Sequence, residues 1–426
     1  MSTDKEYVKS AFTKIKNGYE ALERTGWNPV LSRVMTQSEK QMKELKYKFS
    51  VGLNERNAMR NRYTNVIPYD QNRVIISRSA SNIDGYVNAS PARYEPSRTN
   101  YILAQGPVEG SVTDWWQMMW DKSVSLIIQL NQSGSHDQIF SYFPRTVNGT
   151  ISFGAFEITT ESERTATDYV HRTLKLKEKG GEEDDAKIVE HVNFTSWGDF
   201  EVPRSPRSML ALLFYVRRLD AMTSSCEGSP TVVHCSAGIG RTGTFYIVDV
   251  VLRMISANIP IDRMDLVELL LFLRRYRPGL IQTPQQLRFA YLAVLEGFRW
   301  FLNYPEPVVH TKEDFPADVT LISSEEGSES PRVGKSKSQT LRAVGEKTRL
   351  LSAEVSETHC PLGEKSSSID DVSQIKRKRK EMIERMVEKS RRAEKSIRPF
   401  SGRLWGAFAV AAVFSAVVVG FVWKSR

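Results

Sequence analysis

Cysteine is scarce in this chain of 426 residues, which contains only Cys226, Cys235 and Cys360. Three cysteines so far apart cannot build the disulfide framework of a small secreted domain or the clustered ligands of a structural zinc site. The first twelve residues, MSTDKEYVKSAF, also lack the apolar stretch of a signal peptide. We therefore expect a chain that works in the reducing cytosol.

An excess of charge is missing from most of the chain. The formal net charge is +9, yet residues 376–426 alone carry 14 Lys and Arg against 4 Asp and Glu. The remaining residues, 1–375, carry 45 basic and 46 acidic side chains. Because nucleic-acid-binding domains carry a positive surplus, we expect no nucleic-acid partner for this part.

Composition divides the chain into four segments. Residues 1–305 mix aromatic, apolar and turn-forming residues and predict one large domain. Residues 306–375 are rich in Ser, Glu and Lys without periodicity, which predicts a disordered linker and a target for phosphorylation. Residues 376–403 are strongly basic and predict a juxtamembrane segment on an anionic lipid surface. Residues 404–423 contain no charge and, at about 1.5 Å per residue, would span roughly 30 Å as a transmembrane helix.

The uncharged segment predicts a tail anchor in the endoplasmic reticulum membrane. Trp405 and Trp423 stand near its two ends, and the basic flank places residues 1–403 in the cytosol by the positive-inside rule. Its short length favours a thin membrane. The run KRKRK could alternatively act in nuclear import, so a nuclear pool is expected if the anchor is lost. Small residues spaced by four along the helix are weak support for a dimer, because alanine is frequent there.

The first 305 residues predict an α/β fold. Strand-like runs begin at Val124, Ile151, His171 and Lys187. Helical runs with apolar residues three and four apart begin at Thr113, Ser208 and Pro284.

The run VVHCSAGIGRTGTF contains the main chemical signal. A β-branched strand is predicted over 231–234 and an apolar helix over 244–255, so Cys235 would lie on the connecting turn. Backbone N–H groups at a helix N-terminus attract anions and favour a thiolate. Glycines 238, 240 and 243 let the backbone curl around a phosphate, and Arg241 adds a fork for two phosphate oxygens. These parts predict attack on phosphorus and a phosphocysteine intermediate.

Two other interpretations of this run compete with a phosphate-binding loop. A buried, inert cysteine is the common role of an intracellular thiol, but it leaves the glycines and Arg241 unexplained. The spacing GIGRTG also matches a dinucleotide fingerprint. That interpretation needs a second strand ending in an acidic residue about twenty positions later, and none is predicted.

The run resembles the signature of the protein tyrosine phosphatases. Further motifs of that family occur in the expected order within roughly residues 47–302: NRYTNVIPYD, YVNAS, YILAQGP, FTSWGDFEVP and GLIQTPQQLRFAY. The resemblance implies a single cysteine-phosphatase domain with a highly twisted mixed sheet flanked by helices. The hydrophobic tail suggests the non-receptor, reticulum-anchored subclass that contains the T-cell phosphatase.

The resemblance implies roles for the signature residues. Cys235 would be the nucleophile, Arg241 would hold the phosphoryl oxygens, and Thr242 would steady the thiolate as the intermediate breaks down. His234 would support Cys235 rather than act as an acid. The phosphate would also be bound by the backbone of Ser236, Ala237, Gly238, Ile239 and Gly240.

Residues outside the signature are also assigned by resemblance. Asp199 would protonate the leaving tyrosine and then act as base, with Gln282 orienting the water and Gln286 as a weaker candidate. Tyr63 would pack against the substrate ring and make the pocket too deep for phosphoserine. Gln105 would buttress the loop. No metal or cofactor is implied.

The chain also departs from the family pattern. Gly198 stands where proline is usual, which should make Asp199 costlier to position. Asn65 replaces an Asp that grips the substrate backbone. Residues 131–144 lack a Glu and a Lys of the family, for which His136, Asp137 and Gln138 would substitute imperfectly. Arg274 and Arg277 resemble part of a second phosphate site.

The predicted function is hydrolysis of phosphotyrosine on protein substrates through a phosphocysteine, at the cytosolic face of a membrane. The alternative is a weakly active or inactive phosphotyrosine-binding module. The nearby membrane segment also suggests a phosphoinositide phosphatase, but Tyr63 and residues 61–70 favour a protein substrate.

Overall fold

The computed structural model describes residues 5–131, 139–198, 202–203, 205–219, 228–260 and 265–303. The predicted linker, basic segment and membrane anchor lie outside these ranges, as do Asp199, His136, Asp137 and Gln138. Within the described ranges, no helix has the length and apolar content needed to cross a membrane.

The described residues begin with three helices, continue with strands interrupted by two single helices, and end with three helices. The helices are α1 Lys5–Thr25, α2 Trp27–Glu44, α3 Ser50–Leu53, α4 Val112–Asp121, α5 Pro206–Arg217, α6 Gly240–Ser256, α7 Leu266–Leu273 and α8 Pro284–Asn303. The strands are β1 Ala89–Tyr94, β2 Thr99–Gln105, β3 Leu126–Gln129, β4 Thr150–Phe153, β5 Phe156–Thr165, β6 Tyr169–Glu178, β7 Lys187–Phe194 and β8 Thr231–Cys235. Short 3-10 helices lie at Glu55–Arg60, Asp70–Asn72, Glu95–Ser97, Glu109–Ser111 and Glu183–Asp185.

The strands form one mixed sheet in the order β1-β2-β8-β3-β7-β6-β5-β4. The central pairs β2–β8, β8–β3 and β3–β7 are parallel, and the outer pairs are antiparallel. Every residue of β3 and β8 is buried, as expected for parallel strands covered on both faces. The expected mixed sheet flanked by helices is confirmed.

Two apolar clusters cover the two faces of the sheet. Alternate residues of β2 supply both, since Tyr101 and Leu103 belong to one cluster and Ile102 and Ala104 to the other. Helix α4 covers the second face, whereas α1, α2 and α5 to α8 contribute to the first. One face of the parallel strands is therefore covered by helices from both the N-terminal and the C-terminal part of the domain.

Two predicted boundaries needed correction. The helix predicted over 244–255 begins four residues earlier, at Gly240, and Cys235 ends β8 instead of lying on the turn. The Thr244 hydroxyl donates to the Gly240 carbonyl (3.0 Å) and helps to close this first turn. The run starting at Ile151 is two strands, because Gly154 adopts a positive φ of 59° in the turn between β4 and β5.

Helices α1 and α2 were not predicted, and both pack against α8. The rings of Phe12 and Phe298 meet edge to face, and the ring of Trp27 meets that of Tyr291 in the same way. Tyr7 donates a hydrogen bond to the carbonyl of Ile259. The N-terminal helices are therefore part of the domain that carries the site.

Candidate active site

The sulfur of Cys235 lies at the end of β8, where the backbone curls into α6. It accepts hydrogen bonds from the Gly238 amide (3.2 Å) and from the Thr242 hydroxyl (3.3 Å). The Cys235 sulfur therefore has two donors directed at it, one from the loop backbone and one from the Thr242 side chain.

The loop 236–239 has its carbonyl groups tied to the surrounding scaffold. The Ser236 carbonyl accepts from the Gly106 amide (3.1 Å), and the Ile239 carbonyl accepts from the Ile281 amide (3.0 Å). The carbonyls of Ala237 and Gly238 accept from the Arg277 guanidinium (3.1 and 2.8 Å). Because the carbonyls are held outward, the N–H groups of this loop are left to line a concave anion-binding nest.

Gly238 is required for this curl. Its φ is +72°, and a Cβ added there would stand 2.0 Å from the Ala104 carbonyl oxygen. Residues with side chains rarely adopt this conformation, and here the space is filled by backbone that cannot move aside. Glycine is therefore needed at position 238 for two reasons: the positive φ and the close approach of the Ala104 backbone.

His234 is a buried support for the loop. One ring nitrogen contacts the Cys235 carbonyl (3.3 Å), and the other contacts the Tyr142 hydroxyl (2.8 Å). Burial lowers the pKa of His234 to about 3, so the ring is neutral at physiological pH. Tyr142 also contacts His191 (2.7 Å), whose pKa burial lowers well below its usual value. The sequence did not indicate this network.

Arg241 connects the loop to the segment that precedes Asp199. Its guanidinium donates to the Gly198 carbonyl (3.0 Å). Trp197 is fully buried, with its ring 6.4 Å from that of Phe194 and 5.7 Å from that of Phe289. The described residues thus place the chain immediately before Asp199 against the signature arginine.

Gln282 and Gln286 lie against the start of α6. A Cβ added to Gly240 would stand 2.6 Å from the Gln282 side-chain oxygen and 2.9 Å from the Gln286 side-chain nitrogen. The Gln286 oxygen accepts from the Gln282 backbone amide (2.9 Å). Both predicted amides therefore meet the phosphate loop, and Gln286 also holds the backbone of Gln282.

Gln105 joins the Tyr63 segment to the nucleophile strand. It lies opposite Cys235 in the β2–β8 register. Its side chain accepts from the Arg62 amide (3.0 Å) and donates to the Arg60 carbonyl (2.7 Å). Tyr63 itself is 38% exposed, as a ring that meets a substrate must be. The buttress expected of Gln105 thus acts on the Tyr63 segment, and Asn65 lies exposed beyond it.

Arg274 and Arg277 do not form the second phosphate site suggested by resemblance. Arg277 is fully buried, and Arg274 is 3% exposed. Besides the loop carbonyls, Arg277 donates to the side chain of Asn88 (2.8 Å). Burial lowers the pKa of each arginine to about 10, which leaves both charged at neutral pH. The mistake has a physical cause, because the sequence shows two basic side chains but not the buried carbonyls that they bind.

Comparisons with known proteins agree with this geometry. The family model described as protein-tyrosine phosphatase matches residues 57–296. The chain is 34% identical over 291 residues to tyrosine-protein phosphatase non-receptor type 2 of Mus musculus, an alignment that covers 67% of this chain and 68% of the relative. The human protein of that name is 34% identical over 290 residues, covering 67% of this chain and 66% of the relative. Tyrosine-protein phosphatase non-receptor type 61F of Drosophila melanogaster is 33% identical over 307 residues, covering 68% and 54%. The resemblance at family level is confirmed, and the chain belongs to the protein-tyrosine phosphatase family.

Proposed function

We propose that this phosphatase hydrolyses phosphotyrosine in proteins in two steps through a phosphocysteine on Cys235. The observation that carries the proposal is the loop 236–239, whose four carbonyl groups are all bound by donors outside it. An anion placed over the Cys235 sulfur would meet N–H groups, the α6 N-terminus and Arg241. Such donors stabilise the charge that spreads over the phosphoryl oxygens in the transition state.

In the first step, the Cys235 sulfur attacks phosphorus and the bond to the tyrosine oxygen breaks. A phenol has a pKa near 10, so its departure as an anion is slow without a proton donor. Asp199 would supply that proton. The support for this role is its sequence position after Gly198, whose carbonyl is bound by Arg241.

In the second step, water attacks the phosphocysteine and the sulfur leaves as a thiolate. Thr242 is placed to stabilise that thiolate, because its hydroxyl is 3.3 Å from the sulfur. Gln282 would orient the water, and Asp199 would accept its proton. Tyr63, held by Gln105, would confine the substrate ring and favour phosphotyrosine over shorter phosphoamino acids.

The proposed chemistry is tested by turnover of a phosphotyrosyl peptide. Cys235→Ser should abolish turnover, since an alcohol at this site is a far weaker nucleophile. Cys360→Ser, the same exchange in the linker, is the matched control and should leave the rate unchanged. Asp199→Ala should lower kcat by about 100-fold or more. A wild-type rate equal to that of Cys235→Ser would instead favour the phosphotyrosine-binding module.

We further propose that residues 404–423 anchor the protein in the endoplasmic reticulum membrane with the catalytic domain in the cytosol. The support is the uncharged length of this segment, its terminal tryptophans and the basic residues 376–403. A reporter fused to residues 376–426 should decorate the reticulum. A nuclear or diffuse signal would refute the anchor. The matched control is a reporter with two central valines of the segment replaced by arginine, which should no longer bind the membrane.

A further inference from the structure

The backbone just before Gln282 is held in an unfavourable conformation. Ile281 is fully buried and has a φ of +60°, a left-handed conformation that is uncommon for a β-branched residue. Such a conformation persists only where the surroundings enforce it. Because Gln282 follows directly, whatever holds Ile281 also decides where the Gln282 amide stands relative to Gly240.

Arg274 holds the carbonyl groups of this backbone, while the Ile281 amide donates to the Ile239 carbonyl (3.0 Å). The Arg274 guanidinium donates to the Leu280 carbonyl and to the Ile281 carbonyl, each at 2.9 Å. The Tyr69 hydroxyl in turn donates to the Arg274 carbonyl (3.0 Å) and fixes the base of the side chain. The planar arginine fork therefore clamps two successive carbonyls, which a lysine could not do.

The remaining nitrogen of the Arg274 guanidinium contacts helix α2. It donates to the Ser38 hydroxyl oxygen at 3.0 Å, across 236 positions of sequence. The Ser38 proton is directed to the carbonyls of its own helix, Val34 (2.6 Å) and Met35 (3.0 Å), which leaves its lone pairs for Arg274. Ser38 is only 9% exposed, so water is poorly placed to replace it. It also lies outside residues 57–296, the part that the family model matches.

We propose that Ser38 is a positioning residue for hydrolysis of the phosphocysteine. It orients Arg274, Arg274 holds Ile281, and Ile281 presents Gln282 to the attacking water. The inference rests on the proposed two-step function. In the step concerned, the water oxygen bonds to phosphorus and the S–P bond breaks. The electron pair returns to the Cys235 sulfur, the water proton passes to the Asp199 carboxylate, and inorganic phosphate leaves.

The two steps should respond differently to loss of this contact. Formation of the phosphocysteine uses Cys235, Arg241 and Asp199, whereas the contacts of Ser38 are with Val34, Met35 and Arg274. Ser38→Ala should therefore leave formation within about twofold and slow breakdown about tenfold, the factor expected for one lost hydrogen bond to a charged group. A general loosening of the domain would slow both steps together.

The test uses the full-length protein and p-nitrophenyl phosphate in a stopped-flow instrument. A burst of nitrophenol reports formation, and the following steady rate reports breakdown. Adding methanol gives a second readout, since a loosely held Gln282 should let the alcohol compete with water and raise the yield of methyl phosphate. Gln282→Ala is the reference for a lost water-orienting group.

Two further variants make the comparison sharp. Ser38→Thr keeps the hydroxyl and should restore wild-type partition between methanol and water. Thr36→Ala is the matched control on the same helix, because the Thr36 hydroxyl is exposed and donates only to the Ser32 carbonyl (3.1 Å). It should change neither the burst nor the partition.

The results separate this inference from the proposed function. A larger burst and more methyl phosphate in both Gln282→Ala and Ser38→Ala support the role of Ser38. The same change in Gln282→Ala alone overturns the role of Ser38 and leaves the two-step reaction intact. An equal loss in both steps for Ser38→Ala also overturns it. Absence of any burst in Gln282→Ala would overturn the role of Gln282 in breakdown, and this inference with it, whereas the two-step reaction itself is tested by Cys235→Ser.

Discussion

Gly198 offers a direct way to change how firmly Asp199 is held. Among the described residues, no atom lies within 4 Å of a Cβ added at Gly198, and the backbone there is outside the left-handed region. The Gly198 carbonyl would keep its hydrogen bond from Arg241. A residue with less backbone freedom than glycine should therefore reduce the number of conformations open to the segment that carries Asp199, without a steric clash of its Cβ.

The expected size follows from the entropy of the backbone. Restricting glycine at a compatible position is worth about 0.4–1 kcal/mol. If that free energy raises the population of molecules in which Asp199 is positioned for catalysis, kcat should rise about two- to fivefold. Gly198→Pro should approach the upper value, and Gly198→Ala should fall between it and the wild type.

The assay is kcat at saturating phosphotyrosyl peptide, with the melting temperature measured in parallel. Gly228→Ala is the matched control, since a Cβ there also meets nothing within 4 Å but the residue lies in the segment before β8. It should leave kcat unchanged. An unchanged or lower kcat in both Gly198 variants, with folding intact, would refute the argument that loop entropy limits this enzyme.

Three further predictions concern binding, the loop and acid stability. Asn65→Asp should lower KM for a phosphotyrosyl peptide by about three- to tenfold, because the new carboxylate can accept a charge-assisted hydrogen bond from the substrate backbone. Thr64→Asp, at the adjacent exposed position, is the control and should leave KM unchanged. Equal effects of the two variants would instead show a general effect of added negative charge. Arg277→Lys keeps the charge but loses the fork on the loop carbonyls, so kcat/KM should fall about 100-fold; activity within about threefold of wild type would contradict that assignment. Because burial lowers the pKa of His234 to about 3, the unfolded chain binds this proton at higher pH, and the free energy of unfolding should fall as pH drops below 6.5. Between pH 7 and pH 5, His234 should account for a loss of about 2 kcal/mol in the free energy of unfolding. Denaturant titrations should therefore show this loss in the wild type and in the control variant His310→Asn, and a smaller loss in His234→Asn.

Local pattern predicted the elements that carry the nucleophile. Strand β8 and helix α6 were recognised because a β-branched run precedes, and a long apolar run follows, the glycine-rich loop. The start of α6 was placed too late, since glycines and polar residues in its first turn hide the helical pattern. The family motifs supplied the order of the remaining site residues but not their contacts.

Elements that depend on distant partners were missed. Strand β1 contains Pro91, which is tolerated because β1 lies at the edge of the sheet and pairs only with β2. Helices α1 and α2 carry apolar and charged residues in similar numbers, and their apolar faces are covered by packing against α8. Arg277 could not be placed from sequence, because the Ala237 and Gly238 carbonyls that it binds lie in a different segment.

The tail and the acid loop remain predictions of the sequence. Asp199 and residues 404–423 lie outside the described ranges, so their roles depend on pattern and resemblance. Of the residues just before Asp199, Trp197 is fully buried and Gly198 accepts a hydrogen bond from Arg241.

The most direct test of the central claim is mass spectrometry of the acid-quenched enzyme during turnover of a phosphotyrosyl peptide. The account predicts a phosphoryl group on the peptide that contains Cys235, at higher occupancy in Gln282→Ala and absent in Cys235→Ser. Continued turnover by Cys235→Ser, or a phosphoryl group on another residue, would contradict it.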